Sequence, residues 1–292
     1  RGLRKCMLSG NCLEALPVEM AKCRELELLR ISCNDFQELP SWLMTLPRLS
    51  WLATAGNPCS ELPPRGMEVP EVEYKDVEVE DEVLGEGTSG AVRKAMWQGQ
   101  EVAMKFFKSA ATSDGSPKDE MRVSIAAGRH SNIVGCLARV LDPEALLLNL
   151  IPSDYVVLGK PPSMTSVTRD TYPEDFALSL PITWRILQGI AAALWHLHSH
   201  GIAHGDVYAH NILYSPADGT ALLSDFGAAF FYNPETEDGV QTQAVEVRAF
   251  GCLMEDLLDH THNAAVHSSE ALKTLIQFKD QCIAEDVLAR PS

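Results

Sequence analysis

Residues 202–227 read IAHGDVYAHNILYSPADGTALLSDFG, and this stretch limits the possible folds more than any other. Two short apolar runs, 212–214 and 221–224, flank a polar turn containing Asp218-Gly219. Glycine accepts the positive φ that such turns need, so the spacing predicts a β-hairpin. Chemistry sits at its two ends. Asp206 and Asn211 precede the first strand, and Asp225-Phe226-Gly227 follows the second. A hairpin brings these ends together, so two carboxylates and a carboxamide converge on one spot. Hard oxygen donors with room for a phosphate suit Mg2+.

The other end of the chain repeats. Asn11, Asn34 and Asn57 recur every 23 residues, and Leu16-Pro17, Leu39-Pro40 and Leu62-Pro63 keep the same interval. An apolar ladder precedes each asparagine: Leu3, Cys6, Leu8; then Leu26, Leu29, Ile31; then Leu49, Leu52 and Thr54. Units of this length cannot bury their faces singly, and about three are the smallest stable stack. The ladder is similar to the leucine-rich repeat, LxxLxLxxN. That resemblance implies an α/β solenoid over residues 1–63, with short strands lining a concave face and asparagine side chains bonded to the turn backbone. A start inside a repeat implies further repeats upstream, and Thr54 with Pro63-Pro64 suggests that the array ends here. Residues 64–76, rich in proline and acids, are expected to be a solvated linker.

From residue 77 the pattern changes. An acidic alternating strand, 77–84, leads into GEGTSGAV, with Gly85, Gly87, Gly90 and Val92, and then into Val102-Ala103-Met104-Lys105. A dinucleotide fold would place a helix after such glycines, whereas AVRKAMW alternates as a strand. Together with the paired motifs of 202–227, residues 77–292 resemble a protein kinase: G-x-G-x-x-G-x-V and the strand lysine, then an aspartate and an asparagine with four residues between them, then Asp-Phe-Gly. The resemblance implies an α+β bilobal fold that uses ATP and Mg2+. It also implies roles. Gly85, Gly87 and Gly90 would cover the phosphates, Val92 and Ala103 flank the adenine, and Lys105 hold the α and β phosphates, steadied by Glu120. Asp206 would orient the substrate hydroxyl, and Asn211 and Asp225 would hold the metal, with His204 and Phe226 packing the site in register.

Further elements follow the same plan. Residues 145–151 are expected beneath the nucleotide, and 152–174 as a loop. Ile182, Ile186, Ile190, Leu194 and Leu197 recur at helical spacing. His196, His198 and His200 alternate around that helix, which favours polar groups at a helix end over a metal site. Residues 245–258 read as a helix whose EVRAFG resembles the family's DVxSFG, with Glu246 replacing the aspartate. Four departures stand out. Gly205 replaces the arginine before the catalytic aspartate. Tyr208 stands where Ser/Thr kinases keep a lysine, with His210 the nearest substitute. No Ala-Pro-Glu follows Asp225, and Thr236 and Thr242 are the acceptors on a short loop. The region after Leu258 is compressed.

Composition narrows the function. The net charge is −16, and residues 67–292 carry all of the excess, with 33 acidic against 16 basic residues. That argues against a nucleic-acid or anionic-membrane surface. The eight cysteines form no CxxC pair, which disfavours a zinc ribbon and fits a reducing, cytoplasmic setting. No apolar run reaches the length of a membrane span. Lys5, Glu27, Arg30 and Trp51 are expected to face outward from the repeat strands and to recruit a protein partner. The sequence thus reads as an ATP/Mg-dependent signalling kinase that transfers the γ-phosphate to a Ser/Thr hydroxyl of a protein. The alternative is a nucleotide-binding pseudokinase scaffold with repeat-mediated recognition.

Overall fold

The computed structural model describes residues 2–61, 68–87, 89–108, 112, 114–261 and 270–292. Leu62-Pro63 of the third repeat, linker residues 64–67, and Thr88 of the glycine loop lie outside the described residues.

Strands β1 (Lys5–Met7), β2 (Leu28–Arg30) and β3 (Trp51–Ala53) form a parallel sheet in that order. Lys5 pairs with Leu28 and Leu28 with Trp51, so the ladder register equals the 23-residue sequence period. The repeating asparagines stitch it. Asn34 donates to Ile31 O (2.9 Å) and to Leu8 O of the preceding unit (3.0 Å). Asn57 donates to Thr54 O (2.8 Å) and Ile31 O (2.9 Å). Their carbonyl oxygens accept from Leu13 N and Phe36 N, so these buried amides are satisfied on both ends.

The next unit is a sheet lobe. It comprises β4 (Glu71–Val72), β5 (Val77–Glu86), β6 (Gly90–Trp97), β7 (Gln100–Phe107), helix α1 (Pro117–Ala126), β8 (Cys136–Val140) and β9 (Ala145–Asn149). The strand order is β4-β8-β9-β7-β6-β5. A strand, not a helix, follows the glycines. Part of the expected linker is ordered: Glu71 and Val72 pair with Arg139 and Val140 of β8, and Val72 packs on the sheet core. Pairing and burial at the sheet edge outweigh the acidic composition that suggested a solvated segment.

The helical lobe holds β10 (Val156–Val157), α2 (Leu180–Ser199), β11 (Ile202–Ala203), β12 (Ile212–Tyr214), β13 (Ala221–Leu223), β14 (Phe230–Phe231), α3 (Glu237–Asp259) and α4 (Glu270–Cys282). The expected hairpin forms, with Ile212 opposite Leu223 and Gly219 at φ +78°. β10 adds to its outer edge, so 152–174 is not loop throughout. Helix α3 begins eight residues before the expected 245. Thr236 caps it by accepting from Gly239 N (3.1 Å), and Glu237 and Asp238 complement the N-terminal dipole. Residues 262–269 of the compressed region lie outside the described residues.

Two apolar clusters each draw side chains from both the repeat unit and the helical lobe. Side chains alternate across β2 and β3. Leu29 and Leu52 point into the repeat core, while Leu28 and Trp51 point into the core of the helical lobe. In return Ala203, Phe230, Tyr232 and Val245 of the helical lobe pack into the repeat core. This corrects the expected docking face. Lys5 is exposed, but Glu27, Arg30 and Trp51 are buried, because the helical lobe itself covers the strands.

Candidate active site

A cavity of about 380 Å³ opens between the lobes. Gly85, Val92, Ala103, Lys105, Glu120, Leu146 and Leu148 line it from the sheet lobe, and Leu213, Asp225 and Phe226 from the helical lobe. Lys105 lies on β7 between Val92 and Leu146 of the flanking strands. Its Nζ pairs with Glu120 Oε1, one turn into α1. Glu120 is buried, and burial pushes its carboxyl above the usual range; the Lys105 charge opposes the rise and Asp225 adds to it. The glycines differ in kind. A Cβ at Gly90 would lie 1.9 Å from Phe106 O, so only glycine fits. At Gly85 and Gly87 a Cβ would meet nothing within 4 Å; Gly85 borders the cavity, and Gly87 lies on the exposed arch, off the lining.

The hairpin ends converge as the spacing requires. Asn211 Nδ2 donates to Asp206 Oδ2 (2.9 Å) and Asp206 O (3.0 Å). Ser224 donates to Asn211 O from both its backbone N (2.9 Å) and its hydroxyl (2.8 Å), which binds the start of the hairpin to its end. His204 Nε2 donates to Ser224 O (3.0 Å), and its ring stacks at a tilt on Phe226, centroids 5.2 Å apart. Asp225 is exposed at φ +58°, with Oδ1 accepting from Gly227 N (3.1 Å). Asn211 commits its amide nitrogen to Asp206, which leaves its carbonyl oxygen as the donor to a cation. Two hard oxygens, from Asn211 and Asp225, fit a divalent ion such as Mg2+.

Several site residues escaped the sequence reading. Arg30 of β2 donates from Nη2 to Asp206 Oδ1 and from Nη1 to Gly205 O (3.3 Å). Its Nε lies 3.1 Å from Asp114 Oδ1, in the loop before α1. Burial is the largest single influence on the Asp206 carboxyl and would raise its pKa; the charge and hydrogen bond of Arg30, with the charges of His210 and His204, together outweigh it and hold the carboxyl below its usual range. Glu246 Oε1 accepts from Gly205 N (2.7 Å), and its Oε2 accepts from His198 Nε2 (2.7 Å). Here too burial is the largest single influence, and it is outweighed only by the His198 bond and charge, the His204 charge and the Gly205 bond together, so the pKa is lowered. His198 is therefore a support for the loop, while His196 and His200 bond to backbone carbonyls. No group of three or more His, Cys, Asp or Glu side chains placed to hold a metal ion occurs among the described residues. His210 Nδ1 donates to Asp170 Oδ1 (2.8 Å), which raises its pKa against the effect of burial. Tyr208, in the place of the family's lysine, is buried. Thr242 is buried and donates to Asp238 O (2.8 Å), so it is not an available phosphate acceptor. The run of polar or aromatic residues on one strand face, Glu27, Arg30 and Trp51, was the signal available for this interface; its partner was not legible.

Residues 79–250 match the protein kinase domain family. The chain belongs to that family. It is similar to a probable serine/threonine-protein kinase of Dictyostelium discoideum, 28% identical over 72% of this chain. A putative serine/threonine-protein kinase/receptor of Acanthamoeba polyphaga mimivirus is 30% identical over 61% of it. A probable leucine-rich repeat receptor-like protein kinase of Arabidopsis thaliana is also 30% identical over 61%. These matches span 14%, 11% and 28% of the respective relatives, so the chain corresponds to a small part of each. No described helix is long and apolar enough to cross a membrane.

Proposed function

We propose that the chain is an ATP-dependent protein kinase that transfers the γ-phosphate to a Ser/Thr hydroxyl of a protein. The observation that carries this reading is the Lys105–Glu120 pair on the cavity wall, facing Asp225 across the cleft. The family membership and the printed names of the relatives support the same reaction. In it, Lys105 binds the α and β phosphates, while Gly85, Gly87 and Gly90 let the backbone approach them. Val92 and Ala103 enclose the adenine. Asp206 accepts the hydroxyl proton, oriented by Asn211. Asn211 and Asp225 would hold Mg2+, which when bound would supply charge neutralisation at the phosphates. The N-terminal unit is read as the end of a leucine-rich-repeat solenoid, supported by the equality of period and register. The location is read as cytoplasmic, supported by eight unpaired cysteines.

A separate protein held by the repeat face remains part of this reading only through surface that the helical lobe leaves uncovered, such as Lys5 and Met7. One observation favours the second reading, a nucleotide-binding pseudokinase scaffold: the Asp206 side chain is only 13% exposed. ATP turnover with Mg2+, compared between wild type and Asp206→Asn, separates the two. A kinase loses turnover in the variant and retains ATP binding. Equal turnover in both proteins would remove Asp206 from the reaction.

A further inference from the structure

We propose that Arg30 is a positioning residue of the catalytic loop: the repeat strand supplies, to the Asp206 carboxylate, the guanidinium that the loop lacks at Gly205. The inference rests on the phosphotransfer reading above.

Three contacts define the role. Arg30 donates to Asp206 Oδ1, to Gly205 O and towards Asp114 Oδ1. Asp206 and Gly205 belong to the helical lobe, whereas Asp114 lies in the segment leading to α1, which carries Glu120. Ser32, two residues along the same repeat, donates to Asp114 O (2.6 Å) and fastens that segment again. One side chain thus ties the loop of the reacting carboxylate to the helix that steadies Lys105. With Asn211 on Oδ2 and Arg30 on Oδ1, both oxygens of Asp206 are fixed in orientation. Fixed orientation of a reacting group is where much of the barrier reduction in group transfer arises.

Gly205 explains why the guanidinium comes from elsewhere. Its φ is +74°, and a Cβ there would lie 2.5 Å from Leu52 O and 2.7 Å from Ala228 O. Leu52 belongs to β3 of the repeat unit. This strand, paired to the one that carries Arg30, approaches so closely that no side chain fits at position 205. The exclusion of a side chain at position 205 and the contact of Arg30 with Gly205 O and Asp206 therefore both come from the docking of the repeat strands on this loop.

The contact is not that of a detachable cover. Leu28 and Trp51 are part of the helical lobe's core, and Phe230 and Tyr232 are part of the repeat core. Separation would expose all four, as in an obligate interface cut in half. In the docked arrangement the Lys105–Glu120 pair is made and the cavity is open. The repeat unit is accordingly a component of the assembled site.

The test uses the full chain with Arg30→Ala and Arg30→Lys. For Arg30→Ala, kcat for Mg·ATP turnover should fall by about 10²-fold, the scale of a misplaced reacting group. The KM for ATP and the ATP-induced rise in Tm should stay close to wild type. Ethylguanidinium added to Arg30→Ala should restore part of kcat, and Arg30→Lys should fall between the two, since an ammonium cannot reproduce the fork. Amides of residues 204–211 should exchange hydrogen faster in Arg30→Ala, with those of β6 and β7 unchanged. An increase of kcat in Arg30→Ala would make the contact inhibitory and overturn the proposal; so would unchanged exchange in the loop. If Arg30→Ala does not fold, Arg30→Lys carries the same comparison of kcat, KM and exchange. If wild type shows no turnover, the phosphotransfer reading fails, and hydrogen exchange alone then decides whether Arg30 holds the loop.

Discussion

Trp51 lies flat on Tyr208, with ring centroids 4.3 Å apart and planes 7° from parallel. Trp51 Nε1 also donates to Val207 O (3.2 Å). The third repeat strand therefore grips the catalytic loop two residues beyond Asp206. Position 208, where the family's Ser/Thr members keep a phosphate-binding lysine, serves here as a docking surface for the repeat.

Removing that stack should be severe. Trp51→Ala deletes a large, fully buried side chain, which typically costs about 3–5 kcal/mol. Denaturant unfolding should show that loss in a single transition covering both units, because each unit contributes side chains to the other's core. Trp51→Phe keeps the stack but leaves Val207 O without its donor, so a smaller cost of about 1–3 kcal/mol is expected. Two well-separated transitions in wild type would contradict the shared interior.

Restoring the family's arginine should do harm. Gly205→Arg, like Gly205→Ala, places a Cβ within 2.7 Å of two carbonyl oxygens at positive φ. The left-handed conformation alone costs about 1–2 kcal/mol for a residue with a side chain, and the clash adds to it. Both variants should show a lower Tm than wild type. A variant as stable as wild type would show that the repeat strand does not approach the loop this closely.

Glu246 links stability to acid. Its folded pKa is lowered, so its contribution is complete above the unfolded value of about 4.3 and is lost as pH falls through the folded value. Glu246→Gln should cost about 1.5–3 kcal/mol at neutral pH, the range for hydrogen bonds to a charged group. The gap between wild type and variant should narrow as pH drops below about 4. A gap independent of pH, measured by denaturant titration, would show that the carboxylate charge is not what holds Gly205 and His198.

Asp256 has the opposite sign. Burial raises its pKa to about 7, with Arg169 opposing and Asp170, Glu255 and Asp259 adding to the rise. The folded state takes up this proton, so stability falls as pH rises from the unfolded value through about 7. Asp256→Asn should raise Tm relative to wild type at pH 8 and less so at pH 5. The same difference at both pH values would exclude Asp256 as the titrating group.

Lys105→Met should remove most of the stabilisation by Mg·ATP, since a ligand raises Tm only through its affinity for the folded state. The variant's own Tm should also fall, because Glu120 is then buried without its partner, a loss of about 3–5 kcal/mol for a broken buried pair. An ATP-induced rise equal to that of wild type would take Lys105 out of the nucleotide site.

The repeat register, the glycine hairpin, and the hairpin joining Asn211 to Asp225 were all legible in the sequence. Each depends on a local or strictly periodic signal: the period-2 alternation of strands, the turn chemistry of Gly219, and the 23-residue recurrence of Asn34 and Asn57. Lys105 and Glu120 could be proposed as partners only through the resemblance to the kinase small lobe, in which a helix supplies a glutamate to the strand lysine. The direction in which Trp51 and Arg30 point was also readable from alternation. What covers them was not. Arg30 and Asp206 are 176 residues apart, and Gly205 and Glu246 are 41 apart. No local pattern encodes either contact, because they depend on how whole elements pack and on which apolar faces bury each other. The tertiary structure alone decided that the outward face of the repeat strands is covered by the chain's own loop around Asp206, since burying Leu28, Trp51, Phe230 and Tyr232 together removes from water apolar surface that neither unit covers by itself.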